Sequence, residues 1–353
     1  MIVFTDTIDQ RLGDWISLNS PDKIVLVVST TSRALCLPIL EIYKNIDNII
    51  YEIPDGDEAK TLGFCEDFWE AMIRNDVNRN SVVIALGGGA VLDFGGFAAS
   101  VYMRGIPCIY IPTTLLSMVD GSEGGKTGIN FYGTKNIIGT FTQPTKILRN
   151  IDFLKSLTHR EILSGWAEIL KHGIIQGGNI WHKTQDGIPP IEETQNWMEI
   201  IRENVSFKQD VVSDDFREKG KRKLLNLGHT IGHGLEAIYF EDPEMTHGIS
   251  VANGIYWEAV MGVEMGFTSL ETLKIIEERI FPLFPKISWD EEEASQLVSL
   301  LMHDKKNAHG KIQFTLAKNI GDCHYNIEVS EEEMRNFAMK HAVLKELEAE
   351  NDA

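Results

Sequence analysis

Four short runs of apolar, mostly β-branched residues recur between Lys23 and Pro112, and they constrain the fold more than any other feature of the chain. The runs are KIVLVVS, NIIYEI, SVVIALGGG and CIYIP. Continuous apolar runs of this length are typical of strands that are buried on both faces. Helical periodicity lies between them, around residues 35–43 and 64–74. The alternation predicts an α/β region with a parallel sheet covered by helices.

From about residue 157 onward, long amphipathic segments replace the apolar runs. Residues 160–176, 193–212, 270–281 and 291–302 show helical periodicity, which predicts a mainly α-helical second half. KIQFTLA and CHYNIEV predict a small hairpin, and Ser330 is the expected N-cap of a helix running toward residue 348. Because 353 residues exceed the usual size of one domain, we expect two, an α/β domain over residues 1–155 and a mainly helical one over residues 156–353.

The charge of the chain restricts its partners. With 33 Lys and Arg against 52 Asp and Glu, the net charge is −19, which argues against binding to nucleic acid or to an anionic membrane. An anionic substrate would require basic residues that are concentrated locally.

No run approaches the ~18 apolar residues that a membrane span requires. The four cysteines form no CxxC pair, and no secretory signal opens the chain, so we expect a cytoplasmic protein with reduced thiols.

A glycine-rich turn follows the third apolar run. Gly87, Gly88 and Gly89 stand between that run and the helix-like AVLDFGGFAAS. Such a turn lets phosphate oxygens reach backbone amides at a helix N-terminus, although glycines also serve tight structural turns. The segment PTTLLSMVDGSEGGKTGIN, residues 112–130, adds two threonine hydroxyls, a carboxylate and a lysine, and Lys135 and Asn136 follow closely. This concentration of polar groups favours a phosphate-binding region.

The second half contains a carboxylate and several histidines at helical spacing. GWAEILKHGII places Glu168 and Lys171 on one side of a helix, where an ordinary surface ion pair is the alternative. LLNLGHTIGHGLE carries His229 and His233 four residues apart, and His247 follows in MTHGISV. The spacing of the first two histidines is compatible with a two-histidine zinc site or with helix-packing histidines. Spacing alone leaves these interpretations open.

Six linked motifs resemble the dehydroquinate synthase family in order and approximate spacing. They are GGGAVLDFGGFAAS, RGIP, PTTLLSMVDGSEGGKTGIN, KNIIGTF, GWAEILKHGII and LLNLGHTIGHGLE, within residues 54–306. The resemblance implies a Rossmann-like N-terminal domain followed by a helical one, and a homodimer. It also implies conversion of a small anionic sugar phosphate, 3-deoxy-arabino-heptulosonate 7-phosphate, to 3-dehydroquinate and phosphate. The implied cofactors are NAD, which is reduced only transiently, and Zn²⁺ or Co²⁺.

The resemblance also assigns roles to individual residues. The implied metal ligands are Glu168, His229 and His247. The implied catalytic and substrate-binding residues, among them the non-ligand His233, are Lys126, Asn136, Lys171, Lys208, Arg222, Asn226, His233, Lys305 and Lys306. The implied cofactor-binding residues are Asp57, Lys60, Gly88, Gly89, Asp93, Thr113, Thr114, Leu116, Asp120, Lys126 and Lys135. The cations in these sets provide the local positive charge that an anionic substrate requires.

The chain departs from the family pattern near the cofactor. Ser29 and Thr30 stand near the position of an acid that binds a ribose hydroxyl, and Asp57 replaces a glutamate that is one methylene longer. Gly121 and Glu123 replace a serine and a small apolar residue. We therefore expect altered contacts at the adenosine end of NAD and an additional negative charge at Glu123 that disturbs cofactor or anion binding.

Three other functions remain open at this stage. Leu92 also occurs in relatives that cyclise sedoheptulose 7-phosphate to valiolones, whereas the LNLGHTIGH segment favours dehydroquinate chemistry. Metal-dependent polyol dehydrogenases share the expected architecture but accumulate NADH. A binding protein that has kept the fold without activity is the third alternative, and the GSEGG segment is its only support.

Overall fold

The computed structural model describes residues 3–4, 8–45, 48–303 and 310–343. Its internal contacts divide the chain into two compact units. The first comprises Met1–Trp166 and Ile188–Arg217, and the second comprises Ala167–Gly187 and Glu218–Ala353. Residues 188–217, which follow the boundary expected at residue 155, therefore pack within the first unit.

The first unit contains a six-stranded parallel sheet. Its strands are β1 (Val3–Phe4), β2 (Ile24–Ser29), β3 (Asn48–Ile53), β4 (Val82–Gly87), β5 (Cys108–Pro112) and β8 (Lys146–Arg149). Their order is β1-β8-β5-β4-β2-β3, and every pair is parallel. All residues of β2, β4 and β5 are buried, as expected for strands covered on both faces. The α/β prediction and its four strands are confirmed.

Helices connect the strands of this sheet. They are α1 (Ile8–Asn19), α2 (Thr30–Leu35), α3 (Leu62–Arg74) and α4 (Gly89–Val101), and α7 (Thr194–Asp214) also belongs to this unit. The helix predicted around residues 64–74 is confirmed as α3.

The helix predicted over residues 35–43 is wrong, because α2 ends at Leu35 and two short 3₁₀ turns follow. Ser29 and Ser32 form a capping box that starts α2 early, and Pro38 cannot donate the backbone hydrogen bond that an α-helix requires.

An antiparallel hairpin lies inside the polar segment that the sequence indicated only as a binding region. It consists of β6 (Lys126–Phe131) and β7 (Thr134–Phe141). Gly128 and Gly139 face each other across the pair, and a Cβ on Gly139 would lie 2.2 Å from the carbonyl oxygen of Thr127. Glycine is therefore required where the two backbones approach each other. The sequence did not indicate this hairpin, since β7 is mostly exposed and its hydrophobic alternation is weak.

The second unit is mainly helical, as predicted. Its helices are α6 (Gly178–Lys183), α8 (His229–Ile238), α9 (His247–Glu264), α10 (Leu270–Ile280), α11 (Glu291–Met302) and α12 (Glu331–Lys340). Helix α5 (His159–Gln176) carries residues of both units. The predicted hairpin is confirmed as β9 (Ile312–Asn319) and β10 (Asp322–Val329). Ser330 caps α12 through a capping box with Glu333. The helix ends at Lys340, earlier than expected, and residues 344–348 lie outside the described residues. Within the described ranges, no helix has the length and apolar character required to cross a bilayer.

Candidate metal and cofactor sites

Three side chains of the second unit converge as a donor set for a metal ion. The possible ligand atoms of Glu168 on α5, His229 on α8 and His247 on α9 all lie within 4.8 Å of one another. The Nε2 atoms of both imidazoles lie 3.6 Å from Oε1 of Glu168, whose side chain is 1% exposed. Two imidazoles and one carboxylate form a typical ligand set for a catalytic zinc ion and leave coordination positions open. The structure therefore brings together the three predicted ligands.

Hydrogen bonds orient both imidazoles toward this centre. Nδ1 of His229 lies 3.1 Å from the carbonyl oxygen of Leu227, and Nδ1 of His247 lies 3.1 Å from Oε2 of Glu236. Because a carbonyl and an ionised carboxylate only accept hydrogen bonds, Nδ1 carries the proton in both rings. Each Nε2 is then available as a ligand, with the outer support that is typical of metal-binding histidines.

The pKa values of the two imidazoles differ. Burial lowers the pKa of His229 well below its usual value, and the Lys171 ammonium adds to this, although Glu168 opposes it. Burial also acts to lower the pKa of His247, but the carboxylates of Glu168 and Glu236 outweigh it and raise this pKa to about 9. The two carboxylates thus favour a protonated His247 ring. A metal ion at this centre would replace the proton on Nε2, the nitrogen that faces Glu168.

A second possible donor set overlaps the first. His233, Glu236 and His247 also have ligand atoms within 4.8 Å of one another. The two sets share His247. In the set with Glu168, Nε2 of His247 lies near the carboxylate, so the hydrogen bond between Nδ1 and Glu236 remains intact. His233 is exposed, with its ring centroid 5.2 Å from that of His229. The set with Glu168 contains the three ligands that the resemblance implied.

Other predicted substrate-binding residues lie in this unit. The Lys171 ammonium is 1% exposed and forms an ion pair with Glu168. Arg222 is also buried, and Asn226 donates a hydrogen bond of 2.7 Å from Nδ2 to Glu218 Oε1. The remaining two predicted cations, Lys305 and Lys306, lie outside the described residues.

The glycine turn of the first unit has the geometry of a phosphate cradle. Gly88 is the N-cap of α4, and it provides no side-chain cap for the amides of the first turn. A Cβ on Gly87 would lie 2.5 Å from Cγ2 of Val91, whereas a Cβ on Gly89 would meet nothing within 4 Å. The turn therefore combines a tight backbone with open space at the positive end of a helix.

A second wall of this region follows β5. Thr113 donates its backbone N–H to the carbonyl of Gly87 over 3.0 Å, which ties the end of β5 to the glycine turn. The Thr114 hydroxyl lies 2.9 Å from Ser117 Oγ, and Leu116 is the N-cap of the π-helical turn Ser117–Gly121. The predicted cofactor-binding residues Thr113 and Thr114 thus lie beside the glycine turn, and Leu116 follows them at the start of the next turn.

Five predicted site residues form one charged cluster in the first unit. Lys60 is 3% exposed, and its ammonium donates to Asp93 Oδ2 over 2.8 Å and also to the Asn136 side chain. Asp57 lies 3.8 Å from Lys60 and 3.6 Å from Lys135 in ion pairs. Burial raises the pKa of Asp93, although Lys60 opposes it. The predicted catalytic residue Asn136 therefore lies among predicted cofactor-binding residues.

The additional acid at Glu123 does not remain as an isolated charge. Its carboxylate forms a buried ion pair with Arg149 at the end of β8, and Gln209 of α7 donates to it over 3.2 Å. Next to Gln209, the Lys208 ammonium lies 2.7 Å from Asp120 Oδ1 in an ion pair and donates to the Asp120 carbonyl over 2.8 Å. The expectation that Glu123 adds negative charge beside the site is therefore wrong, because Arg149 neutralises it.

Sequence reasoning missed three residues that support these sites. They are Arg149, Glu236 and Glu258. Glu258 is the one carboxylate of α9 before its last residue, Glu264, and its position in an otherwise apolar segment was a usable signal, since charged residues are rarely buried without partners. Arg149 gave no comparable signal, because one arginine at a strand end is ordinary.

Comparisons with known proteins find relatives over nearly the whole length of the chain. A family model described as 3-dehydroquinate synthase N-terminal matches residues 50–164, and one described as 3-dehydroquinate synthase C-terminal matches residues 165–307. The chain is also similar to the 3-dehydroquinate synthase of Pyrococcus furiosus, with 39% identity over 345 residues that cover 97% of this chain and 98% of that one.

Solved structures show the same fold at lower identity. A 2-deoxy-scyllo-inosose synthase, complexed with carbaglucose-6-phosphate, NAD+ and Co²⁺, superposes with a TM-score of 0.86 and 22% identity over 96% of each chain. A 2-epi-5-epi-valiolone synthase from Streptomyces hygroscopicus, with NAD+ and Zn²⁺ bound, superposes with a TM-score of 0.83 and 24% identity over 96% of each chain.

Proposed function

The chain belongs to the 3-dehydroquinate synthase family, and we propose that it converts 3-deoxy-arabino-heptulosonate 7-phosphate to 3-dehydroquinate and phosphate. It is then a phosphate-eliminating lyase that depends on NAD and on one divalent metal ion. The observation that carries the proposal is the convergence of Glu168, His229 and His247, with both imidazoles oriented by outer hydrogen bonds.

The proposed reaction assigns distinct tasks to the cofactors and to the protein. When bound, NAD+ supplies a reversible hydride acceptor and the Zn²⁺ or Co²⁺ ion a Lewis acid for substrate oxygens. Leu227 and Glu236 hold the His229 and His247 rings with Nε2 facing the donor set. The buried carboxylate of Glu168 supplies the negative charge of the set.

Buried cations support an anionic substrate. Lys171, Lys208 and Arg222 are 1%, 6% and 3% exposed, although the chain as a whole carries a charge of −19. Burying a cation is costly unless it is paired, and Lys171 and Lys208 have the carboxylates of Glu168 and Asp120 as partners. Cations also donate charge-assisted hydrogen bonds to phosphate and carboxylate groups, which is the role that the family resemblance implies for all three. We assign substrate binding and catalysis to these three, together with Lys126, Asn136, Asn226, His233, Lys305 and Lys306.

We assign nucleotide binding to an N-terminal domain of residues 1–155 and metal binding to residues 156–353. The open turn at Gly88 and Gly89 is the proposed binding site of the NAD diphosphate. The cluster around Lys60 is the proposed binding site of the ribose. The proposed contacts are Asp57, Lys60, Gly88, Gly89, Asp93, Thr113, Thr114, Leu116, Asp120, Lys126 and Lys135.

A paired assay tests the proposed reaction. Purified protein with NAD+, Zn²⁺ and 3-deoxy-arabino-heptulosonate 7-phosphate should release one phosphate per substrate with no net gain of NADH absorbance at 340 nm. The carbocyclic product is identified by mass spectrometry and NMR. Net NADH formation would instead indicate a polyol dehydrogenase, and turnover of sedoheptulose 7-phosphate alone would indicate a valiolone-type cyclase.

The Lys60 cluster provides a prediction for cofactor binding. Replacing Lys60 with Met should raise the Kd for NAD+ by about 10-fold or more, because Asp93 loses a charged hydrogen bond inside the cluster. Isothermal titration calorimetry measures this change. Lys44→Met is the matched control, since the Lys44 ammonium forms an exposed ion pair with Glu41. Equal affinities of the Lys60 variant and the wild type would contradict the assignment.

We further propose that the protein is cytoplasmic, and that it acts as a homodimer, which the family resemblance implies. Light scattering coupled to size-exclusion chromatography measures the mass in solution against the 39.7 kDa of one chain. A monomeric mass at micromolar concentration would contradict the homodimer.

A further inference from the structure

Glu258 is a fully buried carboxylate near the middle of α9, and its contacts lie on another helix. The side chain is 0% exposed. Its Oε2 accepts the backbone N–H of Gly228 over 2.6 Å, and its Oε1 accepts those of Thr230 and Ile231 over 2.9 and 3.1 Å. These amides belong to the N-cap and the first turn of α8. Glu258 thus caps α8 from outside, where the N-cap glycine has no side chain to do so.

The two helices that Glu258 connects are the ones that carry the imidazole donors. His229 is the first residue of α8, and His247 is the first residue of α9. The helices approach so closely that a Cβ on Gly254 would lie 1.9 Å from the carbonyl oxygen of Gly228. This close approach brings the short Glu258 side chain within reach of the α8 amides.

A negative charge on Glu258 also affects how strongly a cation binds near the start of α8. The first-turn amides of a helix carry a partial positive charge of about half an elementary charge. A divalent ion held by His229, at that same end of α8, is repelled by these amides. Acceptance of three N–H groups favours the charged form of a carboxylate, and a negative charge there offsets the positive end of the helix.

We propose that Glu258 is a positioning residue for the metal centre, which fixes the His229 ring and neutralises the helix end that faces the cation. This inference rests on the proposed function, because it assumes the metal site formed by Glu168, His229 and His247. Glu258 does not act as a ligand, and its effect on metal binding is transmitted through the backbone of α8.

Zinc affinity of the metal-free protein, measured by competition with a chromophoric chelator, tests the proposal without catalysis. Glu258→Gln retains the size of the side chain but removes its charge, and it should weaken Zn²⁺ binding by about 10- to 100-fold. Glu258→Asp keeps the charge and should bind Zn²⁺ more tightly than Glu258→Gln. Equal affinity of the Asp and Gln variants would overturn the electrostatic argument.

Asn253→Ala is the matched structural control on the same helix. Asn253 is also 0% exposed, but its side chain bonds the backbone of residues 249, 285 and 287 rather than α8. This variant should lower the melting temperature while its folded form keeps Zn²⁺ affinity within about 3-fold of wild type, because the capped amides are untouched. If Glu258→Gln lowers the melting temperature equally but leaves Zn²⁺ affinity unchanged, Glu258 is only structural and the inference fails.

His229→Ala separates this inference from the proposed function. Loss of Zn²⁺ binding in His229→Ala, with wild-type affinity in Glu258→Gln, would overturn only the role of Glu258. Unchanged Zn²⁺ binding in His229→Ala would show that the metal site itself is wrong, and the inference would fail with it.

Discussion

Replacing Glu168 with Ala is expected to lower the rate of phosphate release by at least about 1000-fold, since the metal ion loses its single anionic ligand. The variant removes the carboxylate that lies near both imidazoles, and it leaves the buried Lys171 ammonium without its Glu168 partner. Zinc content of the purified protein, measured by mass spectrometry, should fall together with the phosphate-release rate.

The control for this prediction is Glu161→Ala on the same helix. Glu161 caps the start of α5, where its Oε2 accepts the Thr158 backbone N–H over 2.8 Å. Loss of such a cap costs about 1 kcal/mol of stability and should leave zinc content unchanged. A Glu168→Ala protein that retains both zinc and activity would show that the assigned ligand set is wrong.

Replacing Arg149 with Met is expected to destabilise the protein by about 3–5 kcal/mol, because Glu123 is left as an uncompensated buried charge. Arg149 is 1% and Glu123 7% exposed. The guanidinium also donates to the Met118 carbonyl and to Ser122 Oγ, each over 3.0 Å, so the variant removes further hydrogen bonds. The midpoint of urea unfolding, followed by circular dichroism, measures the loss.

The double variant Glu123→Leu with Arg149→Met separates the cost of an unpaired charge from the loss of the residues themselves. Replacing both partners by apolar residues should recover most of the lost stability, because neither buried charge remains. A double variant as unstable as Arg149→Met alone would show that the arginine stabilises the first unit through its other hydrogen bonds.

Much of the fold could be predicted because its elements have strong local signals. The buried strands β2 and β4 were evident as apolar runs, and α11 has a capping box formed by Asp290 and Glu293. The errors lie where local signals conflict or are weak. The helix expected over residues 35–43 was replaced by 3₁₀ turns, and the hairpin of β6 and the mostly exposed β7 was not predicted.

The candidate site was predicted only in part from residue patterns. Spacing alone was compatible with a zinc pair of His229 and His233 or with helix-packing histidines, and the family resemblance implied Glu168, His229 and His247 as the ligands instead. The structure shows why spacing was insufficient. His229 and His247 are the first residues of two different helices, and Glu168 comes from a third.

The sequence by itself determined the alternation of strands and helices, the glycine turn and the family resemblance, because these depend on residues close together along the chain. Only the tertiary structure decided which charges neutralise each other. Arg149 pairs with Glu123 across 26 positions, and Glu258 caps amides 27 to 30 positions away. These partners are distant in sequence and meet only in the folded chain. A buried charge is stable only where folding brings a compensating group to it.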